Sequence, residues 1–85
     1  MKLKKEKLYY IRFLDHVMGE DIDAVHCEIC GWVVRETNSS YVFTWWNVDS
    51  NDKELVEGNR EYVTILKSTI LSYLPLDVKR SIGPK

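Results

Sequence analysis

Cysteines and long apolar stretches are scarce in this chain of 85 residues. Two cysteines are too few for a disulfide scaffold. No apolar run approaches the ~18 residues that a transmembrane helix requires, and the first residues lack the pattern of a signal peptide. These absences predict a single reduced domain over residues 1–85 that lies in the cytoplasm and has no membrane association.

A basic excess is also missing, because 12 lysines and arginines are set against 13 aspartates and glutamates. A protein that binds nucleic acid without regard to sequence would carry a positive excess. Basic residues gather in an N-terminal arm, residues 1–7, and in a C-terminal tail, residues 76–85. We predict that both ends are solvated and frayed rather than nucleic-acid arms.

Sequence signatures of catalysis are absent as well. The chain has no glycine-rich phosphate loop, no HExxH and no GxSxG. The acidic residues between Asp49 and Asn59 do not have the spacing of a calcium loop. We therefore expect a protein that is not an enzyme and that uses no cofactor.

The stretch HCEICGW, which begins at His26, contains the only pattern that suggests a metal. Cys27 and Cys30 could supply two zinc ligands and His26 or His16 a third, but a structural zinc site needs about four. Residues three apart in an extended strand also point to opposite faces. We predict no metal, interpret both cysteines as small buried hydrophobic residues, and expect Gly31 to let the strand bend.

β-branched and aromatic residues, separated by polar turns, predict five strands. The helical spacing of some apolar residues after position 62 leaves a helix open there, although β-branched density favours strands. Closure of five short strands into a small β-barrel would remove exposed sheet edges. The predicted strands are Lys7–Asp15, Ala24–Glu36, Tyr41–Val48, Arg60–Ser68 and Ile70–Leu74, and the predicted connections are His16–Asp23, Thr37–Ser40 and Asp49–Asn59.

The third predicted strand is apolar on both faces. Tyr41, Phe43 and Trp45 alternate along one face, and Val42 and Trp46 lie on the other. A strand that is half-exposed to water should have one polar face, and a barrel of this size can bury only one side. The surplus apolar surface therefore implies a partner, most simply a second copy of the chain.

Two stretches resemble the motifs of the Sm-like protein family. ILKSTILSYLP, residues 65–75, is similar to the second Sm motif in the form found in bacterial Hfq: an apolar pair, a lysine, a short polar turn, an alternating apolar strand and a proline. GWVVRETNSSYVFTW, residues 31–45, is similar to the latter half of the first Sm motif. The layout also resembles small proteins encoded by phages, for which the location would be the host cytoplasm.

The resemblance implies a mainly β, SH3-type five-stranded barrel with a short N-terminal helix or arm. Sm-like proteins assemble into closed rings in which the fourth strand of one subunit pairs with the fifth strand of the next. The same pairing here would make this chain a homo-oligomer. The implied contact residues are Tyr62, Thr64, Leu66, Leu71 and Tyr73.

Sm-like rings bind single-stranded RNA near the pore through two turns, one between strands two and three and one between strands four and five. In this chain Lys67 would contact phosphate and Tyr41 would stack on a base. The full implied set is Asn38, Ser39, Ser40, Tyr41, Lys67, Ser68 and Thr69.

The chain departs from the family pattern in both turns. Thr37 and Asn38 stand where the family usually has an aspartate, and Ser68 stands where Hfq has a histidine. Because a ring tolerates these changes more easily than RNA binding does, two functions stay open. One is an RNA-binding ring, and the other is a ring that serves as an assembly or protein-interaction module without nucleic acid.

Overall fold

The structure, a computed structural model, describes residues 1–15, 25–46 and 61–77. These residues form five β-strands and one short 3-10 turn, Lys67–Thr69, so the prediction of a mainly β fold is confirmed. Residues 1–7 form an arm without a helix. The strands are β1 (Leu8–Asp15), β2 (Val25–Glu36), β3 (Ser40–Thr44), β4 (Val63–Leu66) and β5 (Ile70–Pro75).

The strand bounds differ from the predicted ones at the ends of β3 and β4. β3 ends at Thr44 and β4 begins at Val63, while the predicted ends Val48 and Arg60 fall outside the described residues. The predicted connections His16–Asp23 and Asp49–Asn59, and the tail after residue 77, lie outside them as well. β4 stops before Lys67 because the chain turns there, and the Thr69 hydroxyl donates to the Leu66 carbonyl at 2.7 Å.

All five strands are antiparallel and belong to one sheet, in the order β4-β3-β2-β1-β5. In the described residues β4 and β5 are the two edges and do not pair with each other, so the five predicted strands form one sheet that is not closed into a barrel. A two-residue hairpin turn would place consecutive strands side by side. The 3-10 turn Lys67–Thr69 instead carries the chain from one edge of the sheet to the other.

β2 changes its neighbour near Gly31. Its first part pairs with β1 up to Trp32, and its last part pairs with β3 from Trp32 onwards, with a register shift after Val33. A Cβ on Gly31 would lie 3.1 Å from the Thr44 carbonyl oxygen and 3.3 Å from the Phe43 Cβ. The position expected to bend the strand is thus one where β2 and β3 approach so closely that a side chain would require its neighbours to move by a few tenths of an ångström.

The core lies between the sheet and the N-terminal arm. β3 is buried along its whole length and has a neighbouring strand on each side. The surplus apolar surface predicted for the third strand is therefore covered within the chain as far as Thr44, whereas Trp45 is 47% exposed, and the expected partner stays a prediction. The buried hydrophobic cluster consists of Leu3, Tyr9, Ile11, Val33, Tyr41, Phe43 and Ile65.

The N-terminal arm is packed on the sheet, so its predicted fraying is wrong. Leu3 is only 3% exposed, and its N–H donates to the Tyr41 hydroxyl at 3.1 Å. The Lys4 N–H donates to the Tyr9 hydroxyl at 2.8 Å. The Glu6 N–H donates to the Val33 carbonyl at 2.7 Å, which extends the contact to β2. One apolar residue and three backbone donors thus hold a lysine-rich segment in place.

The two cysteines lie on the part of β2 that pairs with β1 alone. Cys27 is half-buried and Cys30 is exposed, so the prediction that both are buried is wrong. β3 does not lie beside the two cysteines, because its pairing with β2 begins only at Trp32. Among the described residues no three histidine, cysteine or acidic side chains come together as metal ligands, and His16 lies outside that range. No helix in the described ranges is long and apolar enough to cross a membrane.

Candidate functional site

The two turns implied as an RNA site lie against each other. The Lys67 N–H donates to the Ser39 carbonyl at 2.8 Å. Ser40 and Leu66 are register partners, so β3 begins where β4 ends. We call the surface made by residues 38–40 and 67–69 the two-turn surface.

Thr37 organises the first turn. Its hydroxyl oxygen accepts the Ser40 N–H at 3.0 Å and the Ser39 N–H at 3.3 Å, and its own N–H donates to the Ser40 carbonyl at 2.9 Å. Threonine commonly closes a turn with such side-chain bonds. Ser40 is buried and its hydroxyl lies 2.7 Å from the Thr37 hydroxyl. Of the implied RNA residues in this turn, Asn38 and Ser39 are therefore the exposed ones.

Tyr41 belongs to the core rather than to the surface. Its side chain is fully buried and its ring packs at a tilt on Phe43, with 6.3 Å between centroids. Its hydroxyl accepts the Leu3 N–H, and the Lys67 ammonium lies 5.0 Å from the ring centroid. The buried Tyr41 ring offers no exposed face for a base to stack on, and it instead makes a cation–π contact with Lys67.

Glu36 is the charged residue of this region that the sequence did not reveal. Its carboxylate contacts the Lys67 ammonium at 2.6 Å and the Lys2 ammonium at 2.7 Å. Hydrogen bonds from Lys2 and then Lys67 lower the pKa of the Glu36 carboxyl to about 2. One carboxylate therefore holds two lysines, which leaves a local charge of about +1 and occupies the amine implied as a phosphate contact.

The second turn offers fewer free polar groups than its composition suggests. The Thr69 hydroxyl is engaged with the Leu66 carbonyl, whereas Ser68 is exposed. The Lys67 side chain is 28% exposed, so it can still be reached from solvent at one side. The groups that a ligand can meet on the two-turn surface are thus Asn38, Ser39, Lys67 and Ser68.

The implied subunit-contact residues lie along the two edges of the sheet. Thr64 and Leu66 are exposed on β4, Leu71 and Tyr73 are exposed on β5, and Tyr62 is exposed just before β4. Leu71 sits at a β-bulge, because Arg12 and Phe13 pair with Ser72 and Ile70 on either side of it. Leu74, at 56% exposure, belongs to the same edge and was not singled out from the sequence.

A hydrophobic seam runs along both edges. Leu66 and Leu71 are 52% and 47% exposed, and neither β4 (VTIL) nor β5 (ILSYLP) contains a charged residue. Proteins commonly protect free edges with lysine, bulges or covering segments. Within residues 1–15, 25–46 and 61–77, the bulge at Leu71 and the proline at the end of β5 are the only such features at these two edges.

No protein-family model matches this chain, and no curated protein or solved structure is significantly similar to it, so its function is argued from its own geometry.

Proposed function

We propose that this protein is an Sm-like homo-oligomer that closes into a ring by pairing β4 of one subunit with β5 of the next. One observation carries the proposal: among the described residues neither β4 nor β5 has a neighbouring strand on its outer side, and both are uncharged and carry exposed apolar side chains. Such edges act as templates for a further strand. Because each chain has one edge of each kind, every copy can engage two neighbours.

The chemistry of the two edges fits a permanent rather than an electrostatic contact. Backbone N–H and C=O groups on the outer sides of β4 and β5 would pair, and Leu66 and Leu71 would lose their exposure to water. A head-to-tail contact of this kind gives a closed ring when its rotation closes and a filament when it does not. A discrete mass in solution therefore distinguishes the ring from open polymers.

Light scattering coupled to size-exclusion chromatography tests the assembly. We expect one discrete oligomeric mass that is the same at low and high salt, because the edges carry no charge. Leu66→Lys, which places a charge on the β4 edge, should give monomers. Val25→Lys is the matched control, since Val25 is also an exposed apolar residue but lies at the start of β2, away from both edges. A monomeric wild-type chain at about 100 μM, well above the concentrations at which micromolar contacts form, would refute the proposal.

The second part of the proposal is that the two-turn surface binds single-stranded RNA. Its support is the convergence of two polar turns around Lys67, with Lys2 beside them. Flexible phosphodiester chains are bound by such amines and by exposed amide and hydroxyl groups. Asn38 and Ser68 supply those groups here.

Glu36 makes this part testable by a gain of binding. Glu36→Gln removes the carboxylate that occupies Lys2 and Lys67, so affinity for oligo-U or oligo-A should increase, and the salt dependence should steepen by about 0.7 in log–log slope for each phosphate recruited. Glu61→Gln is the control, because it changes the net charge equally at an exposed residue that does not contact either lysine. Filter binding across a salt titration measures both effects.

A ring without nucleic-acid binding is the second candidate. It is favoured by the ion pair that holds Lys67, by the buried ring of Tyr41 and by the overall charge of −1. This candidate expects an oligomer of the same mass that binds neither oligonucleotide at low salt, with or without Glu36. That result would refute the RNA part of the proposal and leave the ring intact.

A further inference from the structure

The N-terminal arm and the end of β5 line an open pocket, which we call the arm cavity. Its volume is about 350 Å³ and it opens to solvent. Three lysines line it in a protein whose net charge is −1. The lining residues are Lys2, Lys4, Lys7, Tyr9, Tyr73 and Pro75.

The burial of Leu3 fixes the lysines around this cavity. Leu3 lies in the core between Lys2 and Lys4, and the Lys4 N–H donates to the Tyr9 hydroxyl at 2.8 Å. The backbone around these lysines is therefore held before any ligand arrives. A site that is already arranged loses less conformational entropy on binding than a frayed basic tail would.

The three amines differ in how firmly they are engaged. Lys2 is bonded to Glu36, and Lys7 lies 3.5 Å from Asp77, whose side chain is 90% exposed. Lys4 makes no side-chain ion pair among the described residues. Ion pairs between exposed side chains contribute little and exchange readily. An incoming dianion can therefore recruit Lys4 at no cost in existing pairs and displace the exposed Asp77 from Lys7.

Aromatic surface stands next to the amines. Tyr73 is 43% exposed and meets Tyr9 edge to face, with 6.1 Å between ring centroids. Pro75 completes this wall. A planar base can stack on such a ring while its phosphate contacts the lysines, which is the usual division of contacts in nucleotide binding.

We propose that the arm cavity binds a nucleotide phosphate, with Lys4 and Lys7 on the phosphate and Tyr73 beside the base. The same chemistry could be presented by a free mononucleotide or by a nucleotide of an RNA chain. The site is distinct from the two-turn surface, although Lys2 lines the arm cavity and shares the Glu36 carboxylate with Lys67. All six lining residues come from one chain, so the inference does not depend on the ring.

The test compares two substitutions on the same arm. Lys4→Glu reverses a charge inside the cavity, and Lys5→Glu reverses one at an exposed position that does not line it. Isothermal titration with uridine monophosphate, inorganic phosphate and a ten-residue oligo-U identifies the source of the phosphate. We expect Lys4→Glu to weaken nucleotide binding roughly tenfold or more, as loss of a charge-assisted hydrogen bond does, and Lys5→Glu to weaken it less than about threefold.

The outcomes separate this inference from the proposed function. Tighter binding of uridine monophosphate than of inorganic phosphate assigns the free nucleotide, whereas binding of oligo-U alone assigns a nucleotide within a chain. Retention of binding in the monomeric Leu66→Lys variant, and in Lys67→Glu, supports a site in the arm cavity. Equal losses in Lys4→Glu and Lys5→Glu, or no binding of any of the three probes at low salt, would overturn the inference whatever the state of the ring.

Discussion

Replacing Leu3 with alanine tests whether the N-terminal arm is part of the folded core. Leu3 is 3% exposed, and large-to-small changes at such positions cost about 2–5 kcal/mol. A terminal arm can collapse on the cavity that is left, so we expect the lower part of that range, about 2–3 kcal/mol. In a domain of this size each kcal/mol lowers Tm by about 4–8 °C, which gives a decrease of roughly 8–24 °C.

Thermal and urea unfolding followed by circular dichroism measure this loss. Met1→Ala is the control, because Met1 is an apolar residue of the same arm that is 56% exposed. Both proteins are unfolded at two concentrations, since a subunit contact would make Tm depend on concentration. Met1→Ala should stay within about 0.5 kcal/mol of the wild type.

A loss below about 0.5 kcal/mol for Leu3→Ala, the usual range for surface substitutions, would refute the reasoning. It would mean that the arm is not packed in solution and that the lysines of the arm cavity are not held in place. Weaker nucleotide binding in a Leu3→Ala variant that keeps its fold would instead support the inference, since it would show that the packed leucine positions the lysines of the arm cavity.

Three further changes test separate parts of the fold. Gly31→Ala should lower stability by about 1–3 kcal/mol in urea unfolding, because the added Cβ would meet the Thr44 carbonyl at 3.1 Å; wild-type stability would refute the close contact. Thr44→Val should cost about 1–3 kcal/mol in the same assay, because the buried hydroxyl donates to the Glu61 carbonyl at 2.8 Å, whereas Thr44→Ser should cost less. Glu36→Gln should lower Tm at neutral pH, because it removes the carboxylate that pairs with two lysines. The pKa of the Glu36 carboxyl is about 2 in the folded protein and ordinarily 4.5, so the difference in Tm between wild type and variant should be complete above pH 4.5 and vanish as the pH falls towards 2. A difference in Tm that persists at pH 2 would contradict the ion pair.

Local pattern was sufficient to predict the five strands. The content of β-branched and aromatic residues indicated β1 and β2 to within a residue at each end, and the polar run before Tyr41 indicated the turn into β3. The family resemblance placed a turn at Lys67–Thr69, whereas strand propensity extended the fourth strand to Ser68, because the β-branched residues on both sides of the turn have the same preference for an extended chain. The turn is set instead by the hydrogen bond from the Lys67 N–H to Ser39, on a different turn.

In the candidate sites too, residue types were predictable from the sequence, whereas contacts between distant residues were not. The apolar composition of β4 and β5 was visible in the sequence, and so were Lys67 and Gly31. Glu36 was not recognised as a partner of Lys67, because the two residues are 31 positions apart and neither stands in a motif. Tyr41 was expected to be available for stacking, since an aromatic residue beside a polar turn can either pack inward or face solvent.

The sequence by itself determined that this protein is mainly β and approximately where its strands lie. Those properties follow from side-chain types and a period of two, which any chain segment carries with it. Only the tertiary structure decided that β4 and β5 are the outer strands of the described sheet, that Leu3 is buried and that Glu36 holds Lys2 and Lys67. Each of these depends on which distant segments become neighbours, and alternation specifies the two faces of a strand but not the strand that lies beside it.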